Sequence, residues 1–189
     1  GVDSAGTVVA NGNGVVWSNS GALAIGGAGV AEFSVGSGAT VLSQGAITAA
    51  SLPTSSALVT VDGVLAGLGG ITFNANSHLS GTGIVTTAGG TTTMNGTIAP
   101  GNSIGTLSIV GDYVQNAGST YEVEIDAYTG EILDVDHDDD DGHKSGNSNI
   151  ISSEEAIAIA RTVADGTVHE VELDEDDGRL EYEVEIGNY

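Results

Sequence analysis

Gly118-Ser119-Thr120-Tyr121-Glu122-Val123-Glu124-Ile125-Asp126 is the stretch on which the fold turns. From Tyr121 onward apolar and acidic residues alternate strictly, which predicts a strand with one buried and one wet face. The same stretch marks a change of composition. Of the 26 Asp and Glu in the 189-residue chain, only Asp3, Glu32, Asp62 and Asp112 precede residue 121, and 22 follow. Such an asymmetry predicts a domain boundary near Thr120, with one unit over 1–120 and a second over 121–189.

Upstream, small residues dominate, and short apolar alternations are broken by Gly, Asn and Ser: Ala22-Leu23-Ala24-Ile25, Glu32-Phe33-Ser34-Val35, Ala57-Leu58-Val59-Thr60-Val61, Ile71-Thr72-Phe73 and Thr106-Leu107-Ser108-Ile109. Period-two runs bounded by turn formers read as strands, and frequent Gly, Thr and Val oppose helix. Their recurrence every 10 to 20 residues, roughly, suits the stacked coils of a solenoid, with a β-sandwich as the competing architecture.

Downstream, Ser152-Ser153-Glu154-Glu155 has the spacing of a capping box. Ala156, Ile159, Ala160 and Val163, with Ile157 alongside, form an apolar stripe, and Asp165-Gly166 supplies a stop, so one amphipathic helix is expected over 152–163. Val168-His169-Glu170-Val171-Glu172-Leu173 and Leu180-Glu181-Tyr182-Glu183-Val184-Glu185-Ile186 alternate strictly around the acidic Asp174–Gly178, as a hairpin does.

Two resemblances sharpen this outline. The stretches Gly81–Val85, Gly96–Leu107, Gly111–Gln115 and Gly118–Ile125 resemble the passenger-associated repeat of bacterial autotransporters, closely over about 45 residues and in texture over the preceding part of the chain. That resemblance implies a right-handed parallel β-helix, exposure at a bacterial cell surface and a stalk or adhesin role; the membrane β-barrel of that family is missing here. The helix Ile151–Ala160, the hairpin ending Tyr182–Ile186 and the strand region Tyr121–Leu133 resemble the PepSY domain of bacterial secreted and envelope proteins. It implies a small α+β domain, one helix on an antiparallel sheet, and regulation or inhibition of a secreted peptidase. The order is permuted: the half that closes the family's domain, 121–136, precedes the half that opens it, 151–189.

The permutation allows two outcomes. Either 121–126 and 182–186 pair within one chain, with the acidic stretch 137–149 as a flexible connector, or the hairpin of one copy pairs with the strand of the next and a filament grows. In both, Tyr121, Val123, Ile125, Tyr182, Val184 and Ile186 are the interaction residues. Because Ser119–Asp126 satisfies both family patterns, a seam from recombination or engineered fusion into a chimeric scaffold is a further alternative.

The chemistry open to the chain is narrow. With 3 Lys and Arg and a formal charge of −23, its surface repels nucleic acid and anionic membranes. It has no cysteine, which excludes disulfides and thiol chemistry. No apolar run is long enough to span a membrane, and Gly1 opens without a leader pattern, so a mature or excised piece is expected. Asp134, Asp136, Asp138 and Asp140 are a Ca²⁺ candidate set beside the alternative of a solvated, self-repelling linker; the spacing is not that of an EF-hand. His137 and His143 are a Zn²⁺ candidate pair, while His78 and His169 read as surface residues. No nucleophile motif or phosphate loop is present, and the strand carboxylates are expected to look outward into water. The expectation is therefore a non-enzymatic structural or adhesive surface protein without a required cofactor. A peptidase regulator and a polysaccharide-active β-helix are the alternatives.

Overall fold

The computed structural model describes residues 4–101, 106–127, 150–176 and 179–187. The first coil is β1 (Ala5–Ala10), β2 (Val16–Asn19) and β3 (Leu23–Ile25), and the second is β4 (Val30–Val35), β5 (Thr40–Ser43) and β6 (Ile47–Ala49). The third holds β7 (Ser56–Val61), β8 (Val64–Gly67) and β9 (Ile71–Phe73). Then follow β10 (Ser77–Gly81), the long β11 (Ile84–Met94), β12 (Thr97–Pro100), β13 (Ser108–Gln115) and β14 (Thr120–Asp126). Every strand pairing among these is parallel: Ala5 lies opposite Val30, Val30 opposite Ser56, Ala57 opposite Ser77, His78 opposite Thr97 and Thr97 opposite Thr120. The fold is thus mainly β with solenoid-like stacking, a coil taking between 19 and 26 residues.

Alternation explains which side chains fill the interior. Phe33, Val59, Leu79 and Ile98 rise from successive turns of one face, Val41, Leu65 and Val85 from the second, and Ile25, Ala49, Phe73 and Met94 from the third; all are buried. Burying each large side chain contributes about 1.5–3 kcal/mol, and identical spacing in each coil lets the layers interlock. The corners need glycine because stacked backbones approach closely there. Gly81 has φ +111°, and a Cβ on it would run into the Val61 carbonyl of the coil beneath.

β14 ends this regime. One edge still pairs in parallel with β12, through Thr97–Thr120 and Ile98–Tyr121. Its other edge pairs antiparallel with β16 (Arg179–Gly187), from Thr120 opposite Gly187 to Asp126 opposite Glu181, and β16 pairs antiparallel with β15 (Thr167–Asp176). Eight strands therefore form one unbroken sheet, β1-β4-β7-β10-β12-β14-β16-β15, across the division drawn at 120/121.

Among the described residues the single helix, α1 (Ser153–Ala160), packs on β14, β16 and β15. Its capping box forms as the sequence predicts: the Glu155 amide donates to Ser152 Oγ at 3.2 Å and the Ser152 amide to Glu155 Oε2 at 2.9 Å. Ala156 and Ala160 are fully buried against Val123, Ile125, Val184 and Ile186. Tyr182 ties strand to helix, its hydroxyl donating to the Ile151 carbonyl at 3.0 Å. Tyr121 packs against both this cluster and the solenoid core, so the cap continues the core instead of sitting apart from it.

Two boundaries differ from expectation. The helix stops at Ala160, and Val163 is 53 % exposed in the turn that follows, because the buried stripe is already complete with two alanines and half-buried Ile157 and Ile159. The acidic segment from Asp174 is strand, not turn: Asp174, Glu175 and Asp176 lie opposite Glu181, Leu180 and Arg179. Continuing the ladder pairs backbone groups that a wide loop would leave to water.

Candidate functional site

The cap sheet has two faces of opposite character. Tyr121 opposite Ile186, Val123 opposite Val184 and Ile125 opposite Tyr182 carry the face under α1. These six residues, read from the sequence as an interaction set, meet one another within a single chain.

The other face is a grid of carboxylates fixed by register. On the central strand, Glu185, Glu183 and Glu181 lie opposite Glu122, Glu124 and Asp126 of β14 on one side, and opposite Glu170, Glu172 and Asp174 of β15 on the other. Like charges directly opposite across strands destabilise a sheet, so this face is held together by what lies beneath it. The carboxylates of Glu122, Glu183 and Glu185 approach one another within 4.8 Å.

These groups are less wet than alternation implies. Glu181 is buried, and Glu122, Glu124, Glu183 and Glu185 are half-buried, which corrects the expectation that the strand acids all face open water. The physical reason is position: β16 is flanked on both sides, and β14 sits between the coils and β16, so long neighbouring side chains exclude water from each carboxylate. Burial, with the charges of Glu183 and Glu185 behind it, pushes Glu122 up to about 7. Glu183 is also raised, first by burial and then by Glu185, Glu172, Asp174 and Glu170. Glu155 moves the other way, held down by its hydrogen bonds from the Ser152 backbone and hydroxyl. Chemically, such a face can share protons among carboxylates near neutral pH, offer oxygen ligands to a hard cation, or meet a basic protein surface.

The remaining sequence candidates fall elsewhere. Asp134, Asp136, Asp138 and Asp140, with His137, His143 and the 137–149 connector, lie outside the described residues. His78 is half-buried in β10 between Leu58 and Thr97, where burial lowers its pKa, so it is not a plain surface residue. His169 is exposed at the register shift between Val168 and Glu170. Sequence reasoning missed the Glu122–Glu183–Glu185 cluster. Its signal was the acidic phase of three alternating strands, but that phase gains meaning only when register sets the strands side by side.

Fold and site together define a β-solenoid closed at one end by an acidic sheet with a helix on its inner face. The family model for PepSY, the peptidase propeptide and YPEB domain, matches residues 97–136 and 150–189. The first span carries β12, β13 and β14, and the second carries α1, β15 and β16, so the similarity falls on the cap and the coil that feeds it. No curated protein and no solved structure matches the chain. No helix among the described residues is long and apolar enough to cross a membrane.

Proposed function

We propose that this is a non-enzymatic protein of the bacterial cell surface or extracellular space, in which a right-handed β-solenoid stalk presents a permuted PepSY-like cap that binds and restrains a secreted peptidase. The observation that carries this is the coincidence of the PepSY match, on 97–136 and 150–189, with a helix-backed sheet whose outer face is a carboxylate grid. That face suits a basic partner surface by charge. The passenger-like repeats support export, and right-handed crossovers are the rule for parallel strands.

The test is titration of the chain against purified secreted zinc metallopeptidases, reading both complex formation and peptide turnover. A salt-sensitive complex that slows turnover, and that weakens at least about tenfold in E170K/E172K, is the expected result. No complex, or one indifferent to those charges, overturns it. A purely structural or adhesive role is the second reading, favoured by the repetitive coils. It predicts elongated particles in negative stain and no effect on any peptidase. A polysaccharide-active role predicts turnover of a glycan. No cofactor is required in this proposal. Calorimetry with millimolar Ca²⁺ checks the one cation worth testing, heat release counting for a site and none against it.

A further inference from the structure

The cap sheet is held on one side and open on the other. β14 lies between the coils and β16, whereas β15 ends the sheet, pairing with β16 alone. Among the described residues no backbone hydrogen bond reaches Thr167–Asp176 from any segment but β16. After the register shift between Val168 and Glu170 the ladder runs regularly to Asp176, so the outer edge of this run offers its N–H and C=O groups in a row.

The apolar layer thins toward the same edge. In one cross-strand row Ile125 is fully buried, Tyr182 is 7 % exposed and Leu173 is 43 % exposed. In the next, Val123 and Val184 are buried and Val171 is only half-buried. The helix accounts for the gradient: its Ala156 and Ala160 are buried in the cluster built on β14 and β16, while Val168 and Val171 lie at that cluster's margin. On the opposite face Glu170, Glu172 and Asp174 are exposed, each with a carboxylate across from it on β16 and no described strand beyond it. The edge therefore lacks two things at once, an apolar neighbour on one face and a positive charge on the other.

We propose that β15 is a strand-addition site for an extended segment of another protein in which basic and apolar residues alternate. Main-chain hydrogen bonds along the edge hold the segment, its apolar residues fall beside Val171 and Leu173, and its Lys or Arg residues fall beside Glu170, Glu172 and Asp174. The sign of the charge selects the occupant. A second copy of β15 would set carboxylate against carboxylate, and the chain's own Lys144, Arg161 and Arg179 are too few and too scattered to make an alternating basic strand. The inference rests on the reading of the cap as a binder of a basic protein surface, and it names how that surface is held: by a strand laid along the edge in register with the acids.

Isothermal titration of the full chain with short synthetic peptides tests this. A peptide of alternating Lys and Val should bind, and one with the same residues in separate Lys and Val blocks should bind at least about tenfold more weakly. Methylating the backbone nitrogens of the alternating peptide keeps its charge and side chains but removes its main-chain donors, and should abolish binding. The bound peptide should slow hydrogen exchange of amides in Glu170–Asp176 and leave the coils unchanged, and E170Q/E172Q should weaken it at least about tenfold. Absence of binding, protection away from β15, or equal binding of the alternating, blocked and methylated peptides overturns the proposal, the last by assigning the contact to charge alone. Because no peptidase is present, the two readings fail separately. Peptides that dock on β15 of a chain that holds no peptidase sink only the peptidase role, and a peptidase complex beside inert peptides sinks only strand addition.

Discussion

The solenoid and its cap share one sheet but are stabilised in opposite ways. In the coils, parallel ladders stack layers with few charges, Glu32, Asp62 and Asp112 among them, so each layer adds apolar burial and little electrostatics. In the cap, antiparallel register sets carboxylate against carboxylate, and the apolar layer under α1 must outweigh that repulsion. Stability in the first region is set by packing volume, and in the second by a balance that solvent conditions can tip.

The largest contrast is expected from core truncation. Phe73→Ala empties a buried ring site in the coils and should cost about 3–5 kcal/mol at any pH, read by denaturant unfolding. Ile186→Ala, between β14, β15 and α1, should cost about 2–5 kcal/mol. Its loss should register first in hydrogen exchange of the cap amides while coil amides stay protected. Equal loss in both regions would mean that the shared β14 makes them one cooperative unit.

Acidity separates the regions next. Glu122 has its folded pKa raised from 4.5 to about 7, so the folded cap holds that proton more tightly than the unfolded chain does. Its stabilising effect is complete below about pH 4.5 and is lost as pH rises to 7. Glu155, lowered by its cap hydrogen bonds, acts in reverse, giving stability at neutral pH that is lost on strong acidification. The cap should therefore melt higher at pH 5 than at pH 8, and Glu122→Gln should flatten that slope and raise the pH 8 melting point. Added salt should help the cap at pH 8 by screening the grid, with little effect on the coils. An unchanged slope in the variant would assign the pH dependence to other groups.

Smaller still is Ser152→Ala, which removes the helix cap for about 1 kcal/mol. Val163→Ala should fall within about 0.5 kcal/mol of zero, since that side chain is more than half exposed.

How far the sequence reached follows from how local each signal is. The capping box at Ser152 and Glu155, the coil strands and the alternation from Tyr121 depend on neighbours a few residues apart, and the structure has them where the pattern put them. The helix end was misjudged because Val163 fits the 3.6-residue stripe, but whether a stripe position is covered depends on what lies across from it. Asp174–Asp176 looked like a loop by composition, and only the pairing partner on β16 made it strand.

The sequence by itself determined the kinds of elements, the charge-poor and acidic segments, and the alternation along each strand, since period and propensity are properties of the chain. Tertiary structure alone decided register, and register decided the rest. It set Glu122 beside Glu183 and Glu185 and let one strand serve both coil and cap. Contacts between residues some 60 positions apart leave no local trace, because they exist only when two edges are laid together by the packing beneath them.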